Sequence, residues 1–364
     1  MIKRALEKAR ELTYLEFLAQ SIEYGSIVSS AALSALSDER KANVDRPFRR
    51  RLWLYRRGFV THADELFHLD ENNPEEYLSN FRRYYLPKRI NRNASDVLDN
   101  KILFHKVLEG KHSENLPKCY GFIHNGNVRT NDAKTLPLTT WLEKHRADFV
   151  ARRSVGAQGE GVDIVEFQDG NYYIEGSSCT DEDLGARFAE GDWILTEKLS
   201  QATYAQRIFP DSLNTIRVLT LIDPDTGEPF ILKAVHRFGG SASAPVDNWS
   251  NGGACADINL ETGRLREAAV FVNREELEFR STHPDSGEQI TGVKIPEWDE
   301  LKRTIRELAC ELRVCPFIGW DVVVTAEHHV CVIEGNGSPG NEAIQVHGGL
   351  FADDRIRPLL REHK

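Results

Sequence analysis

The chain has 364 residues, of which 40% are hydrophobic and 28% charged, a composition typical of globular proteins and unlike disordered or collagen-like chains. At roughly 100–200 residues per domain, its length predicts two or three structural units. Lys and Arg number 46 against 56 for Asp and Glu, so the net charge of −10 disfavours non-specific binding of nucleic acid or anionic membrane over the whole surface, although a local basic patch stays open.

The six cysteines form no CxxC pair, which predicts reduced thiols and a cytoplasmic location. Residues 1–20 carry charges throughout and lack the apolar core of a signal peptide. No stretch reaches the roughly 18 apolar residues that a membrane span needs. We therefore expect a chain that is neither exported nor membrane-spanning.

The first 40 residues place apolar side chains at helix-like spacing, which predicts one or two amphipathic helices. The stretch Arg46–Arg57 then mixes six arginines with aromatic residues. Such a stretch either covers a neighbouring domain with its arginine stems or contacts phosphates and bases, and the acidic net charge favours the first. The polar segment Asn91–Asp99 is the first predicted boundary, with Asp99 as the cap of a helix over Asn100–Glu109.

After about residue 145 the sequence predicts short strands separated by turns. They are Phe149–Arg152, Val162–Phe167, Tyr172–Glu175, Ile194–Lys198, Ile216–Ile222, Phe230–Arg237, Ala254–Asn259, Arg264–Phe271, Trp320–Thr325 and Val330–Glu334. One helix is predicted over Glu297–Arg313. No series of βαβ units is present, which argues against a Rossmann fold or a barrel.

Gly156, Gly159 and Gly161 lie in a loop between two predicted strands. Glycine lets backbone N–H groups approach an anion closely. A Walker loop or a dinucleotide fingerprint opens a helix, whereas a glycine loop between strands indicates a flap over a nucleotide. A plain hairpin turn is the alternative, although Arg152 and Arg153 supply cations that a turn does not need.

The last predicted hairpin places carboxylates opposite each other. A four-residue loop pairs Thr325 with Val330. Counting back along antiparallel strands then puts Asp321 opposite Glu334, with Asn336 on the same face. Oxygen ligands without Cys or His suit Mg²⁺ or Mn²⁺, so we predict a metal site there. A solvated polar strand end is the alternative.

Arg217 lies in a predicted strand with apolar neighbours, and Lys233, Val235 and Arg237 share one face of the partner strand. An inward arginine must be paired or must meet an anion, so a phosphate contact and a structural salt bridge both stay open.

A polar loop follows the second of these strands. Asp247, Asn248, Gly252 and Gly253 provide polar side chains and accessible backbone donors. This composition suits a small-substrate site and equally suits a tight turn.

The order of these features resembles the ATP-grasp superfamily. Within it, the chain looks most like the branch called sugar-transfer associated ATP-grasp, which is related to alpha-L-glutamate ligases. The segments that carry the resemblance are LYRRGF (54–59), LDNKILFHK (98–106), PDSLNTIRVLT (210–220), VDNWSNGGACADINLETG (246–263), HPDSG (283–287) and GWDVVVT with VIEGN (319–336). The resemblance spans about residues 50–360.

The resemblance implies an α+β ATP-grasp fold, in which two α+β subdomains clamp ATP. The helical N-terminal region would be 1–95, the small subdomain with the glycine flap 96–200, and the large subdomain 201–364. The implied ATP contacts are Lys101, Arg152 where the family has lysine, and an adenine hinge of Glu197, Lys198 and Leu199. The implied catalytic arginine is Arg217, and with it we assign Arg237 to catalysis and Lys233 to the cofactor site. The implied metal ligands are Asp321, Glu334 and Asn336.

The resemblance further implies an enzyme that uses ATP and Mg²⁺ or Mn²⁺ to join a carboxylate to an amine or another nucleophile. It would act through an acyl phosphate on a small sugar- or amino-acid-derived substrate and release ADP and phosphate. A small-molecule phosphotransferase and a nucleotide-binding module without turnover are the alternatives. No nucleic acid or membrane partner is expected, and a homodimer is compatible with the sequence.

Overall fold

The computed structural model describes residues 23–41, 44–156, 161–272 and 276–356. This part of the chain forms two antiparallel sheets of eight and seven strands, with helices packed against both. The predicted helices of the first 40 residues fall partly outside the described residues, and residues 23–41 form helix α1. No helix in the described ranges is long and apolar enough to cross a membrane.

The remaining helices are α2 (Phe48–Tyr55), α3 (Thr61–Leu66), α4 (Asn80–Asn91), α5 (Ser95–Asp99), α6 (Lys101–His112), α7 (Leu138–Leu142), α8 (Asp181–Arg187), α9 (Thr203–Ile208), α10 (Trp298–Glu311) and α11 (Glu342–Gln345). The strands are β1 (Cys119–His124), β2 (Asn127–Thr130), β3 (Thr135–Pro137), β4 (Phe149–Arg153), β5 (Val162–Gln168), β6 (Asn171–Ile174), β7 (Ser177–Cys179), β8 (Asp192–Thr196), β9 (Ile216–Ile222), β10 (Pro229–Phe238), β11 (Ala254–Ile258), β12 (Leu265–Val272), β13 (Glu276–Arg280), β14 (Phe317–Val324) and β15 (Val330–Asn336).

The small sheet has the strand order β3-β2-β1-β8-β4-β5-β6-β7. Its core forms where buried side chains of β1, β4, β5 and β8 meet helices α7 and α8, with Trp141 and Phe188 among the largest. Alternate residues of each strand face these helices, as the period of two requires. The glycine loop connects β4 to β5 at one end of this sheet.

The large sheet has the order β13-β12-β11-β10-β9-β14-β15 and is covered on both faces. One face carries Val218 and Trp320 and packs against α5, α6 and α10. The other carries Leu219 and Leu221 and packs against the N-terminal helices and the segment after β15. Because side chains alternate along a strand, Arg217 lies on the second face, next to Leu219.

The arginine-rich stretch forms α2 and contacts its neighbours. Arg46 and Arg50 donate to the buried carboxylate of Asp64 in α3. The guanidinium groups of Arg50 and Arg57 each lie 4.2 Å from the centre of the Trp53 ring. Arg46 and Arg50 therefore link the start of α2 to α3, whereas coverage of a neighbouring domain by the arginine stems stays a prediction.

The predicted strands after residue 145 are all present, with ends that differ by at most a few residues. The hairpin of β1 and β2 was not predicted, although its turn residues Asn125 and Gly126 both have positive φ and form the sequence signal of a two-residue hairpin. The predicted cap at Asp99 is wrong. Asn100 caps α6, because its side chain accepts the N–H groups of Ile102 and Leu103.

Asn91, the buried last residue of α4, ties the N-terminal helices to the large sheet. Its side-chain Nδ2 donates to the backbone carbonyls of Phe317 and Gly337, both at 2.7 Å, and its side-chain Oδ1 accepts the N–H of Phe317 at 3.0 Å. These bonds fix the start of β14 and the chain just beyond β15. The same two strands carry the predicted metal ligands.

We expect Asn91→Ala to lower the free energy of unfolding by about 3 kcal/mol, since it leaves three buried backbone groups without partners. Urea denaturation measures this change. Asn171→Ala, at the exposed end of β6, is the control and should cost less than about 0.5 kcal/mol. Equal effects of the two variants would contradict the bracing role of Asn91.

Candidate functional site

The hairpin of β14 and β15 brings the two predicted carboxylates together. Asp321 pairs with Glu334, as predicted. The turn register was predicted wrongly, since Val330 pairs with Val324 and not with Thr325. A β-bulge beside Asp321 shifts the register by one residue and so restores the predicted pair.

Asp321 is buried and held by two arginines. The Nε and Nη2 atoms of Arg217 donate to its two carboxylate oxygens at 2.6 and 3.0 Å, and Nη2 of Arg237 donates to Oδ1 at 3.2 Å. Burial acts to raise the pKa of Asp321, but the two guanidinium groups outweigh it and hold that pKa well below its usual range. The salt bridge that the sequence left open for Arg217 is therefore formed.

Arg237 is fixed in its position by groups on its other side. Its guanidinium donates to Oγ1 of Thr215 at 2.5 Å and lies 3.4 Å from a carboxylate oxygen of Asp247. That carboxylate also accepts the N–H of Thr215 at 2.9 Å. Burial acts to lower the pKa of Arg237, but Asp247 and Asp321 raise it above its usual value.

Glu334 contacts Lys101, the first residue of α6. Lys101 Nζ lies 3.3 Å from Glu334 Oε2 and donates to the carbonyl of Gly156 at 3.0 Å. Asn336 Nδ2 donates to Glu334 Oε1 at 3.4 Å. Leu98 and Phe104 lie against Gly335 of β15, and this packing sets the start of α6 beside Glu334.

Arg152 reaches the same hairpin from the small sheet. Its side chain is 6% exposed, and Nη1 donates to the carbonyl of Ile333 at 3.0 Å. Its Nε is buried and makes no hydrogen bond. Burial lowers the pKa of the guanidinium, although Glu334 attracts it from beyond ion-pair distance. Arg152 is thus a buried cation that has no carboxylate partner among the described residues.

The oxygen atoms at this site fit a hard divalent cation. Asp321 and Glu334 face each other across the strand pair, and the Asn336 side chain donates to Glu334. Carboxylate and amide oxygens are the ligands that Mg²⁺ prefers. The described residues hold no group of three His, Cys, Asp or Glu spaced for a metal ion, so the candidate set is these two carboxylates with the Asn336 amide.

Of the three predicted loop glycines, Gly159 lies outside the described residues. The carbonyl of Gly156 accepts a hydrogen bond from the Lys101 ammonium. Gly161 has φ of +71°, and a Cβ there would lie 2.8 Å from the side chain of Arg153, so glycine is required at this end of the loop.

The predicted adenine hinge follows β8, where the chain leaves the small sheet. The N–H of Glu197 donates to the carbonyl of Lys118 at 2.9 Å, and its carboxylate accepts the N–H of Lys118 at 2.7 Å. The Lys198 ammonium forms ion pairs with Glu166 and Asp148 on the small sheet. A role for Lys198 and for the adjoining Leu199 in base binding would therefore rest on the backbone.

Lys233 of β10 pairs with Leu219 of β9 and lies on the same face of the large sheet as Arg217. Its ammonium donates to the carbonyls of His347 and Gly348, both at 2.8 Å, and touches neither Asp321 nor Glu334. Burial lowers the pKa of Lys233 to about 8. The structure therefore places Lys233 under the segment that follows α11, and its predicted cofactor role stays a prediction.

The predicted substrate loop has structural contacts of its own. Asp247 is buried beneath Arg237, and the side chain of Asn248 accepts the N–H of Ser250 at 3.1 Å. Gly252 has φ of +96°, and a Cβ at Gly253 would lie 2.4 Å from the carbonyl of Phe238. The tight-turn interpretation is thus met, and the substrate role stays a prediction.

Sequence reasoning missed two residues that hold the site in place. Thr215 anchors Arg237, and Asp99 accepts the N–H of Gly337 at 3.0 Å just beyond Asn336. Thr215 stands directly before β9, within the quoted segment PDSLNTIRVLT, so a signal for it was present. Asp99 also lies within a quoted segment, LDNKILFHK, but that segment does not indicate its partner, because the contact joins residues far apart in the chain.

The sequence of residues 80–357 matches the model of the family described as sugar-transfer associated ATP-grasp. The chain belongs to this family. The ATP-grasp fold and the mixed helix and antiparallel sheet content predicted above are thereby confirmed. Residues 23–79, including α1 to α3, precede the matched range. No curated protein sequence matches the chain.

Solved structures of ATP-grasp proteins resemble the chain only distantly. An ADP complex of N5-carboxyaminoimidazole ribonucleotide synthetase (purK) is 14% identical with a TM-score of 0.36, the match covering 67% of this chain and 46% of that one. D-alanine–D-alanine ligase from Bacillus anthracis is 14% identical with a TM-score of 0.39, and the match covers 74% of this chain and 69% of that one. A RiPP-associated ATP-grasp ligase from Chryseobacterium gregarium is 12% identical with a TM-score of 0.40, and the match covers 78% of this chain and 68% of that one. The chain thus spans about half the length of the first of these.

The buried ammonium of Lys233 makes stability depend on pH. Its pKa of about 8 in the folded protein lies below the ordinary value of about 10.4. Between these values the unfolded chain binds more protons, so this contribution to stability rises with pH. Relative to Lys233→Met, the wild type should gain about 2 kcal/mol between pH 7 and pH 10 in urea denaturation.

Lys111→Met is the control for this experiment, because the Lys111 side chain is 70% exposed. Its difference from the wild type should not change over the same pH range. A pH-independent difference for Lys233→Met would show that the ammonium is not desolvated in solution.

Proposed function

We propose that this protein is an ADP-forming ligase that uses ATP to activate a carboxylate as an acyl phosphate and joins it to an amine or another nucleophile. The substrate is a small molecule derived from a sugar or an amino acid. Membership of the ATP-grasp family supports the use of ATP. The proposed mechanism and product go beyond the family match.

The observation that carries the proposal is the unpaired cation at Arg152. A buried charge without a partner is costly, because the loss of hydration is not repaid. Among the described residues, the Arg152 side chain has one backbone carbonyl and no carboxylate as partner, at the point where the small sheet meets β15. An anionic ligand in this place would balance the charge. A nucleotide phosphate fits, since guanidinium groups donate several N–H bonds to phosphate oxygens.

The other cations of the site would act on the same phosphate chain. Lys101 and the backbone of the glycine loop would contact phosphate oxygens from the side of the small sheet. Arg217 and Arg237, on neighbouring strands, would stabilise the charge that develops on the transferred phosphoryl group and on the tetrahedral adduct. Asp247 and Thr215 would keep Arg237 in place during this step.

Asp321, Glu334 and Asn336 would hold the divalent cation that accompanies ATP. When bound, the metal neutralises charge on the phosphate oxygens and polarises them. The remaining assignments, Glu197 to Leu199 for the base and Asp247 to Gly253 for the substrate, are part of the same proposal.

Nucleotide binding tests the role of Arg152. In calorimetry with Mg²⁺ and ADP, Arg152→Met should weaken binding at least about tenfold, a loss of one charge-assisted contact. The free variant should melt no lower than the wild type, because the substitution removes an unpaired buried charge. Arg152→Lys should retain part of the affinity, since lysine is the residue of the family pattern but loses its charge more readily than arginine when buried.

Arg129→Met serves as the matched control, because Arg129 lies exposed on β2, away from the site. It should leave both affinity and melting temperature unchanged. If Arg152→Met bound nucleotide as well as the wild type did, the proposed phosphate contact would be wrong.

A substrate screen tests the reaction itself. Amino acids and sugar acids are supplied in pairs with ATP and Mg²⁺, ADP release is measured, and the products are analysed by mass spectrometry. A ligase gives free phosphate and a product with a new amide or ester, whereas a phosphotransferase gives a phosphorylated product. Nucleotide binding without ADP release under any pair would favour the binding module.

With a substrate pair in hand, Arg217→Lys separates catalysis from folding. The variant keeps the charge beside Asp321 but loses the bidentate fork. We expect turnover to fall about tenfold to a hundredfold with little change in nucleotide affinity, as for a group that acts in the transition state. A lower melting temperature with unchanged turnover would instead assign Arg217 a purely structural role.

A further inference from the structure

Both predicted carboxylate ligands of the metal are already held by donors of the protein itself. Asp321 Oδ1 accepts from Arg217 at 2.6 Å and from Arg237 at 3.2 Å, while Oδ2 accepts from Arg217 at 3.0 Å. Glu334 contacts Lys101 through Oε2 and Asn336 through Oε1. A carboxylate oxygen has two lone pairs, so Asp321 Oδ1 is fully used.

The charges of this cluster also cancel. The cations Lys101, Arg217 and Arg237 are matched by the carboxylates of Asp321, Glu334 and Asp247. A bare divalent cation would add two positive charges to this largely buried network, with the unpaired Arg152 close by. Desolvation and repulsion by the displaced ammonium and guanidinium groups would oppose its binding.

A metal–nucleotide complex meets the opposite situation. It brings its own phosphate oxygens, and its net charge is negative. Lys101 and Arg217 could then exchange a carboxylate oxygen for a phosphate oxygen while the freed carboxylates take the metal. Each ion pair lost is replaced by another, and Arg152 gains a partner as well.

We infer that Lys101 and Arg217 make the site specific for the metal–nucleotide complex by occupying the carboxylate ligands, Glu334 and Asp321, whenever nucleotide is absent. The inference rests on the proposed function and adds to it which form of the metal the site accepts. Lys101 thus acts in two opposite ways. It blocks the free metal ion and supports the complex.

Lys101→Met separates these two effects. Binding of free Mn²⁺ is followed by its electron paramagnetic resonance signal, and binding of the Mn²⁺–ADP complex by calorimetry. The wild type should bind free Mn²⁺ weakly, with a Kd of about 1 mM or more. The variant should bind free Mn²⁺ about tenfold more tightly, because Glu334 is released, and Mn²⁺–ADP about tenfold more weakly, because a phosphate contact is lost.

Lys106→Met is the matched control. Lys106 lies in the same helix but is exposed and pairs with Glu109, so neither affinity should change. Glu334→Gln added to Lys101→Met should abolish the gain in free Mn²⁺ binding, which excludes a new site elsewhere.

Two results would overturn the inference. One is tight binding of free Mn²⁺ by the wild type, and the other is a change of both affinities in the same direction in Lys101→Met. Either can occur in a protein that binds Mn²⁺–ADP well, in which case the proposed function stands. A wild type that binds no Mn²⁺–ADP would instead contradict the proposed function.

Discussion

The site is organised around two carboxylates that face each other across β14 and β15. Asp321 and Glu334 would repel each other if they were left alone in a largely buried place. Arg217 and Arg237 on the next strands and Lys101 on α6 supply the opposite charge. The position of α6 and the strand order β10-β9-β14-β15 are therefore linked to one requirement, which is positive charge beside these two carboxylates.

Six of the seven strands of the large sheet, all but β13, and this carboxylate pair could be predicted from the sequence because they depend on local periodicity. Alternation with a period of two gives the strand faces, and a short turn gives the pairing of neighbouring strands. The register count reached the correct pair for Asp321 although it began one residue out at Val330, because the bulge compensated for the error. A bulge leaves no clear mark in a sequence of apolar residues, so this agreement was partly fortuitous.

The contacts that join distant segments could not be predicted in the same way. Asn91 and Asp99 hold the chain near residue 337, and nothing in their neighbourhoods indicates a partner more than two hundred residues away. The hairpin of β1 and β2 was not predicted for a different reason. Its Asn125-Gly126 turn is a local sequence signal that could have been recognised. Side-chain partners such as Arg217 with Asp321 depend on which strands become neighbours, and the pattern of either strand alone does not determine this.

The arginine at position 152 has a physical advantage that the chain itself illustrates. Lys233, buried on the large sheet, has its pKa lowered to about 8, so a lysine under such burial comes close to losing its charge at neutral pH. Burial also lowers the pKa of Arg152, but a guanidinium begins above 12 and keeps its proton in proteins. Nη1 donates to the carbonyl of Ile333, and Nε has no partner in the part of the chain that the structure describes. Arginine therefore maintains a full positive charge and a free donor where a buried lysine would tend towards neutrality, and the demand for an anion at this point persists across the physiological pH range.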